Sequence, residues 1–543
     1  MLHLANSPDA AAAIRARFEE ELVLPRVWSH DHTVWKDDPA EIENRLGWLH
    51  LPERVPKELD RIDRFVADVR EGGFRHVLLL GMGGSSLAPE TFSLTFGNAD
   101  GYPDLTILDS TYPDAVLGVE ETLDLSRTLF LVATKSGTTT ETLSFFRYFL
   151  ARVLTRIGPD DVGRRFGAIT DPGSPLVELA ERGGFREIFE NDPNLGGRYA
   201  ALSLFGLIPA ALLGVEVRQI LRRAQSLSRE CARSEPLDAN PAVRLAAFLG
   251  AAARDGRDKA TFIISEEVAA FGNWVEQLIA ESTGKEGTGI LPVVGEPIAP
   301  PATYGSDRLF VHLRLADDCS QDAAVAALAE AGHPTARIDL DDRYAIGEQF
   351  FLWELATALV GEVLQINPFD QPNVEAAKIL ARRMVDAYRK TGSLPADEAE
   401  PASADAIERF LASAGDGAYI ALHAYLPPSR PMSEALTALR VALRDRYRVA
   451  TTVGYGPRFL HSTGQLHKGD GGRGLFIQLL TTPEGDVPIP DQAGETDAAL
   501  TFGTLIEAQS HGDRRALLDA GRRVLALRLG DPTQIEDLAR KLT

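Results

Sequence analysis

Val77-Leu78-Leu79-Leu80-Gly81-Met82-Gly83-Gly84-Ser85-Ser86 is a run of consecutive apolar residues closed by a glycine-rich turn. A strand that is apolar on successive positions has no solvent-facing side, so it belongs inside a parallel sheet covered on both faces. The glycines after it allow a tight turn, and the helical pattern beyond them brings free N–H groups to that turn. Similar apolar runs follow at 106–108, 129–133 and 167–169, with helical patterns such as 143–154 between them. This rhythm predicts a doubly wound α/β unit. A second series at 261–264, 309–313 and 336–340, with helical stretches around Trp274 and over 350–363, predicts another unit of the same general kind. No sequence repeat relates the two.

The same reasoning extends to both ends. The first sixty residues read as helical, with Ser7-Pro8 as a cap ahead of an Ala-rich helix. The acidic, Pro- and Ala-rich stretch 394–406 reads as a linker. Beyond it, strands at 418–424, 447–451 and 475–480, with helices at 432–446 and 514–527, predict a third, smaller α/β unit. The expected division is therefore a helical segment over 1–60, α/β units over 61–220 and 221–393, a linker over 394–406 and a C-terminal α/β unit over 407–543.

Composition narrows the class of function. The 543 residues are 44% hydrophobic and 25% charged, ordinary for a globular chain with a large core. There are 56 Lys and Arg against 78 Asp and Glu, a net charge of −22. Such a surface repels phosphodiester backbones, so no nucleic-acid partner is expected. The two cysteines, Cys231 and Cys319, have no metal-ligand spacing, which predicts a reducing compartment and no structural zinc. The N-terminus has no apolar targeting core, and the most apolar stretch, 202–215, is too short for a bilayer and contains Pro209. The expectation is a cytoplasmic protein with no membrane association.

Several segments can carry chemistry. The turn at Gly83, Gly84 and Ser85 is either a ligand cradle or only a tight turn. Thr134-Lys135-Ser136-Gly137-Thr138-Thr139-Thr140-Glu141-Thr142 follows a strand and opens a helix. One hydroxyl suffices to cap a helix; this cluster, beside a lysine and the positive end of a helix dipole, points to phosphate. No Walker sequence is present, so the phosphate is a handle and not a transferred group. Gly196-Gly197-Arg198 offers a guanidinium to a ligand oxygen, or else an ordinary surface arginine. Trp274, Leu278 and Glu281 share a helix face that Gly284 ends. A carboxylate there suits proton transfer, or is paired with a core cation. Lys378 lies on the stripe of Val374, Ala377 and Ala381, where a lysine snorkels or serves a site. His461-Ser462-Thr463-Gly464-Gln465-Leu466-His467-Lys468 is dense in histidine, and either ring could be an oriented acid or base.

Together the segments Thr134–Thr142, Gly196-Gly197-Arg198-Tyr199, Glu281-Ser282-Thr283-Gly284-Lys285 and Val374-Glu375-Ala376-Ala377-Lys378 stand in the order seen in glucose-6-phosphate isomerases, which this chain resembles over roughly residues 20–530. It looks most like the isomerase part of bacterial bifunctional transaldolase/glucose-6-phosphate isomerases, without room for a transaldolase barrel. The resemblance implies two sugar-isomerase-type (SIS) domains, no cofactor, no metal, a sugar-phosphate substrate and a homodimer with shared active sites. It implies that Gly83, Gly84, Ser85, Lys135, Ser136, Thr138, Thr139 and Thr142 bind the sugar phosphate. Glu281 would move the proton between C1 and C2, Arg198 would stabilise the enediolate, and Lys378 with a histidine would assist ring opening. Most members carry that histidine between the Glu and Lys motifs. Here the matching loop is displaced beyond Lys378, which implies His461, with His467 as the fallback, and in the family this residue comes from the neighbouring subunit. The expected activity is interconversion of glucose 6-phosphate and fructose 6-phosphate through a cis-enediol. An isomerase for another phosphosugar such as mannose 6-phosphate, a non-catalytic sugar-phosphate sensor and an impaired scaffold are the alternatives.

Overall fold

In the computed structural model every residue is described except 234, 235, 396, 397 and 413. In chain order the strands are β1 (Leu2–Ala5), β2 (His76–Gly81), β3 (Asp104–Leu108), β4 (Thr128–Ala133), β5 (Phe166–Thr170), β6 (Glu187–Glu190), β7 (Lys259–Ile264), β8 (Leu291–Val293), β9 (Arg308–Leu315), β10 (Thr335–Leu340), β11 (Glu400–Pro401), β12 (Tyr419–Tyr425), β13 (Ala450–Tyr455), β14 (Gly474–Leu480), β15 (Pro488–Ile489), β16 (Leu500–Thr501) and β17 (Arg523–Arg528).

The first sheet runs β3-β2-β4-β5-β6 and is parallel throughout. Its chain moves from β2 outward to β3 and then crosses back to β4, so the strand order reverses between β2 and β4. Ligands of open α/β sheets bind outside the carboxyl ends of the strands at such a reversal. The glycine turn leaves β2 and the hydroxyl-rich segment leaves β4, so both face that crevice. The second sheet runs β1-β10-β9-β7-β8, parallel except for β1 against β10. The third runs β11-β17-β14-β12-β13, all parallel. β15 and β16 form a separate antiparallel pair.

The first two sheets share one apolar core extending from Leu2 to Phe369, with the helix Ile346–Leu364 buried through it. The third sheet has its own core. It also packs outward on both neighbours. Val487, Ile489, Leu500, Phe502 and Leu505, around the β15–β16 pair and the helix Phe502–Asp519, lie with Phe145 and Phe149 of the helix Thr140–Ile157 and with residues of the first sheet, and Tyr419, Ala421, Leu466 and Phe476 lie on Ala280, Leu291 and Val293. The C-terminal unit therefore forms a wall of the first two. No helix among the described residues is long and apolar enough to cross a membrane.

Four expectations need correction. The N-terminal segment is not wholly helical: Leu2–Ala5 adds as an edge strand to β10. The helix expected over 514–527 runs instead over Phe502–Asp519, and Gly521, at φ +72°, turns the chain into β17. The strand expected over 447–451 starts at Ala450, because the helix Arg430–Tyr447 keeps Tyr447. The stretch 394–406, expected as a linker, contains β11 and the start of the helix Ala404–Leu411. Pro401 sits on an edge strand, where a missing N–H does not break a ladder, and Ser403 Oγ accepts from Ala406 N to cap the helix Ala404–Leu411. Positions 396 and 397 of that stretch lie outside the described residues.

Candidate active site

A cleft of about 760 Å³ opens at the carboxyl ends of β2 and β4. Eight cations line it (Arg45, Lys135, Arg147, Arg198, Lys378, Arg382, Arg389 and Lys468) against four acids, Glu141, Glu281, Glu375 and Asp386. A strongly acidic chain thus carries a locally cationic cleft, which favours an anionic ligand.

The hydroxyl segment forms one wall. Thr134 N bonds Ile169 O at 3.1 Å, tying the loop to the adjacent strand. Ser136 Oγ lies 2.9 Å from Thr138 Oγ1 and accepts from Thr138 N at 3.2 Å. Thr139 is the N-cap of the helix Thr140–Ile157, yet its hydroxyl pairs with Thr134 Oγ1 at 2.8 Å and no side chain caps the helix. The hydroxyls bond to one another and leave the helix start open, as an anion site requires. Opposite, the turn Gly83–Ser85 lies against the turn Gly197–Tyr199. A Cβ on Gly84 would fall inside the carbonyl of Gly197, so this approach admits only glycine.

Two expected phosphate ligands stand differently. Lys135 lines the cleft, but its Nζ is already held by Asp171 Oδ2 at 2.5 Å and Pro193 O at 3.3 Å. Burial raises the Asp171 carboxyl above its ordinary range, and Lys135 only partly opposes this. Thr142 does not line the cleft: three residues into the helix, it is fully buried, with its hydroxyl unbonded among the described residues.

Glu281 and Arg198 face each other across the floor. Glu281 lies near the end of the helix Phe271–Thr283 and is 6% exposed. Its Oε1 is 3.4 Å from Arg198 Nη1, and its Oε2 accepts from Gln277 Nε2 at 3.1 Å. The remaining guanidinium donors are committed: Nε to Ser282 Oγ at 2.7 Å, and Nη2 to the carbonyls of Pro368 at 2.7 Å and Asp370 at 3.1 Å. Nη1 is the end left to the carboxylate and the cleft. Nearby, Lys285 Nζ bonds Asp370 Oδ1 at 2.7 Å, and burial, with Arg198 adding to it, pushes this ammonium down to about 8. The core cation that sequence spacing left open for Glu281 is Arg198.

His461 and Lys378 complete the cleft. His461 Nε2 lies 3.0 Å from Glu141 Oε1, which also accepts from Gln509 Nε2 at 2.7 Å; Gln509 Oε1 in turn accepts from Thr111 Oγ1 at 2.8 Å. Burial alone would raise the Glu141 carboxyl, but the His461 ring and its hydrogen bond, with a backbone hydrogen bond and Lys378, together hold it below the ordinary range. An ionised carboxylate only accepts, so this contact places an N–H on His461 Nε2. His467, the fallback, does not line the cleft; it faces His423 at 3.2 Å, and burial drives its imidazole far below the ordinary range. Lys378 lines the cleft on the helix Val374–Thr391, whose cap Asn373 stands one residue after Pro372. Gln465 ties the parts together, giving Nε2 to Gly284 O at 2.9 Å and Asn373 Oδ1 at 2.6 Å and accepting from Asn373 N at 2.9 Å. It joins the end of the Glu281 helix to the start of the Lys378 helix. A Cβ on Gly284 would overlap Leu466, so this junction too depends on glycine.

One chain therefore brings together Gly83, Gly84, Ser85, Lys135, Ser136, Thr138, Thr139, Arg198, Glu281, Lys378 and His461. His461 reaches the cleft of its own chain, so the geometry does not require the expected sharing between subunits. Sequence reasoning missed Gln277, Gln509 and the role of Glu141. Glu141 stands inside the quoted hydroxyl motif, but no local signal marks Gln277 or Gln509. Among the described residues no cluster of three or more His, Cys, Asp or Glu is placed to hold a metal ion.

A family model described as phosphoglucose isomerase matches residues 50–291. A glucose-6-phosphate isomerase of Thermus thermophilus is 30% identical over 394 residues, 63% of this chain and 91% of that protein. One from Geobacter sulfurreducens is 30% identical over 397 residues, 62% of this chain and 74% of that protein. Among solved structures, a hypothetical protein from Thermus thermophilus superposes with a TM-score of 0.60 at 27% identity, covering 70% of this chain and 99% of the other. A glucose-6-phosphate isomerase from Chlamydia trachomatis gives a TM-score of 0.60 at 19% identity, covering 69% and 86%, a likeness of fold. Lys378 and His461 lie beyond the residues matched by the family model.

Proposed function

The chain belongs to the phosphoglucose isomerase family, and we propose that it interconverts glucose 6-phosphate and fructose 6-phosphate. The observation that carries this reading is that an uncapped, hydroxyl-lined helix start and a buried carboxylate paired with a guanidinium line one cleft of one chain.

In this reading the phosphate sits at Ser136, Thr138, Thr139 and the Gly83–Ser85 turn, and the sugar reaches across to Glu281. Holding the tail there turns a loose encounter into an oriented one. His461, aligned by Glu141 and Gln509, and Lys378 act on the ring oxygen and O1 to open the ring. Glu281 then takes the proton from the carbon next to the carbonyl and returns it to the neighbouring carbon; one carboxylate serving both carbons implies a cis-enediol. Charge develops on the adjacent oxygens, and Arg198 Nη1 is the donor positioned to meet it. Lys135, held by Asp171, contributes field at the rim more than direct contact.

We place the enzyme in the cytoplasm, where phosphorylated sugars are its substrates, and expect a homodimer whose activity does not depend on exchanging His461 between subunits. The test is turnover: purified protein with fructose 6-phosphate, glucose 6-phosphate being coupled to its dehydrogenase, and mannose 6-phosphate as the control substrate. Turnover of fructose 6-phosphate is expected; none, from folded protein, rejects the reading.

A further inference from the structure

The steps above make no use of Lys468. It lies on the helix Gly464–Gly469, is 5% exposed, and nevertheless lines the cleft. Its Nζ donates to Asp513 Oδ1 at 2.6 Å and reaches Gly464 O at 3.3 Å. Asp513 is wholly buried; its Oδ2 accepts from Gln478 Nε2 at 3.2 Å and faces His423 Nδ1 at 3.4 Å. An ammonium has three donors, and two are engaged among the described residues. A buried ion pair adds little to stability compared with apolar residues of the same volume, so one set into a cleft wall calls for a use.

Its placement supplies one. Asp513 and Gln509 stand four residues apart on the helix Phe502–Asp519, hence on one face. Gln509 holds Glu141, the partner of His461, and Asp513 holds Lys468. A single helix face therefore backs both an imidazole and an ammonium that line the same cleft.

We propose that Lys468 is a substrate-binding residue that donates its free N–H to a hydroxyl or the ring oxygen of the sugar phosphate, in the cleft that His461 also lines. The identity of the ligand rests on the isomerase reading; the placement of the ammonium does not. The competing role is a mere counterion for Asp513.

Lys468→Arg separates the two, because an arginine still neutralises Asp513 but moves the donor atoms. Calorimetric titrations of wild type and variant with fructose 6-phosphate and with inorganic phosphate, which probes the hydroxyl cradle alone, read the difference. The expected result is about a tenfold loss of fructose 6-phosphate affinity, the scale of one hydrogen bond to a charged group, with phosphate affinity unchanged within about twofold. Wild-type affinity for both ligands, or a parallel loss for both, overturns the assignment. Should that variant not fold, the Lys468→Met, Asp513→Asn double variant removes both charges together, and the same selective loss is expected of it. Wild type that binds fructose 6-phosphate without turning it over would sink the isomerase reading, and the assignment of Lys468 would still be decided by the ratio of the two affinities.

Discussion

Replacing Glu281 by glutamine keeps the shape of the side chain and removes its charge, and the surroundings allow no good accommodation of the amide. Gln277 Nε2 donates both to Glu281 Oε2 and to His461 O, the latter at 2.7 Å. Turning the new NH2 toward Gln277 sets donor against donor, and flipping Gln277 to relieve this breaks its bond to His461 O. Turning the NH2 the other way points it at the Arg198 guanidinium. The first arrangement loses a hydrogen bond, and the second sets donors against donors where the ion pair stood. Arg198 also loses its counter-charge, but it keeps its bonds to Ser282, Pro368 O and Asp370 O. The cost is therefore below the roughly 3–5 kcal/mol of stranding a buried charge outright, and about 1–3 kcal/mol is expected in chemical denaturation. Loss of a general base costs roughly 10²–10⁴-fold, so kcat should fall about a thousandfold, near 4 kcal/mol of barrier, while KM changes little because the phosphate cradle is untouched. The coupled assay gives both constants, and NMR of product formed in D2O by wild type should show deuterium at C2. Folded Glu281→Gln protein that keeps more than about a tenth of wild-type kcat would refute Glu281 as the proton carrier.

Gly84→Ala should lose several degrees in Tm and most activity, since the new methyl overlaps the Gly197 carbonyl next to Arg198; wild-type Tm and kcat together would contradict the close approach. Gln465→Leu strands Gly284 O, Asn373 N and Asn373 Oδ1, at a cost of roughly 2–4 kcal/mol in urea unfolding, with earlier proteolysis in the Val374–Thr391 helix. Glu276→Gln should alter pH dependence. Burial, opposed by Arg440 and Arg458, raises the Glu276 carboxyl from 4.5 to about 7. Between those values the folded state holds a proton that the unfolded state has released, so wild-type stability is lost as pH rises through that window. The variant should match wild type below about pH 4.5 and be the more stable above pH 7; the reverse order in unfolding curves would show that Glu276 is stabilised as an ion.

The central strands of each sheet were legible because they are buried on both faces and read as unbroken apolar runs. Most of the strands that escaped are edges. β6 begins and ends in glutamate, β8 is Leu-Pro-Val and β1 is four residues with a histidine, whereas β17, bounded by arginines, lies between β11 and β14. An edge strand has one neighbour and a wet side, so it needs neither a long apolar run nor freedom from proline. The helix expected over 514–527 failed for a related reason: Arg523–Arg528 has enough apolar residues to continue a helical stripe, and only Gly521 at positive φ marks where the helix has already ended.

The cleft divides along the same line between local and distant causes. Most of the phosphate end is written in one segment, because a helix start can be assembled from its own hydroxyls and a preceding glycine, and the Gly83–Ser85 turn that completes it carries its own glycine signal. The proton-handling end is assembled from residues far apart in sequence: Arg198 is held by Ser282, Pro368 and Asp370, and His461 by Glu141 across 320 positions. Gln509, which steadies Glu141, is 368 positions away from it. Neutral amides and backbone carbonyls hold the reacting charges in place, and such groups have no sequence signature, since nearly any glutamine or carbonyl serves when the fold delivers it. Thr142 shows the converse limit. It belongs to the motif by spelling, but one turn into the helix its side chain is below the surface and outside the cleft. The chemistry of Glu281, Arg198 and His461 therefore depends on the third sheet being docked, because the wall that carries His461, Gln465, Lys468 and Gln509 is made only when that sheet packs against the other two.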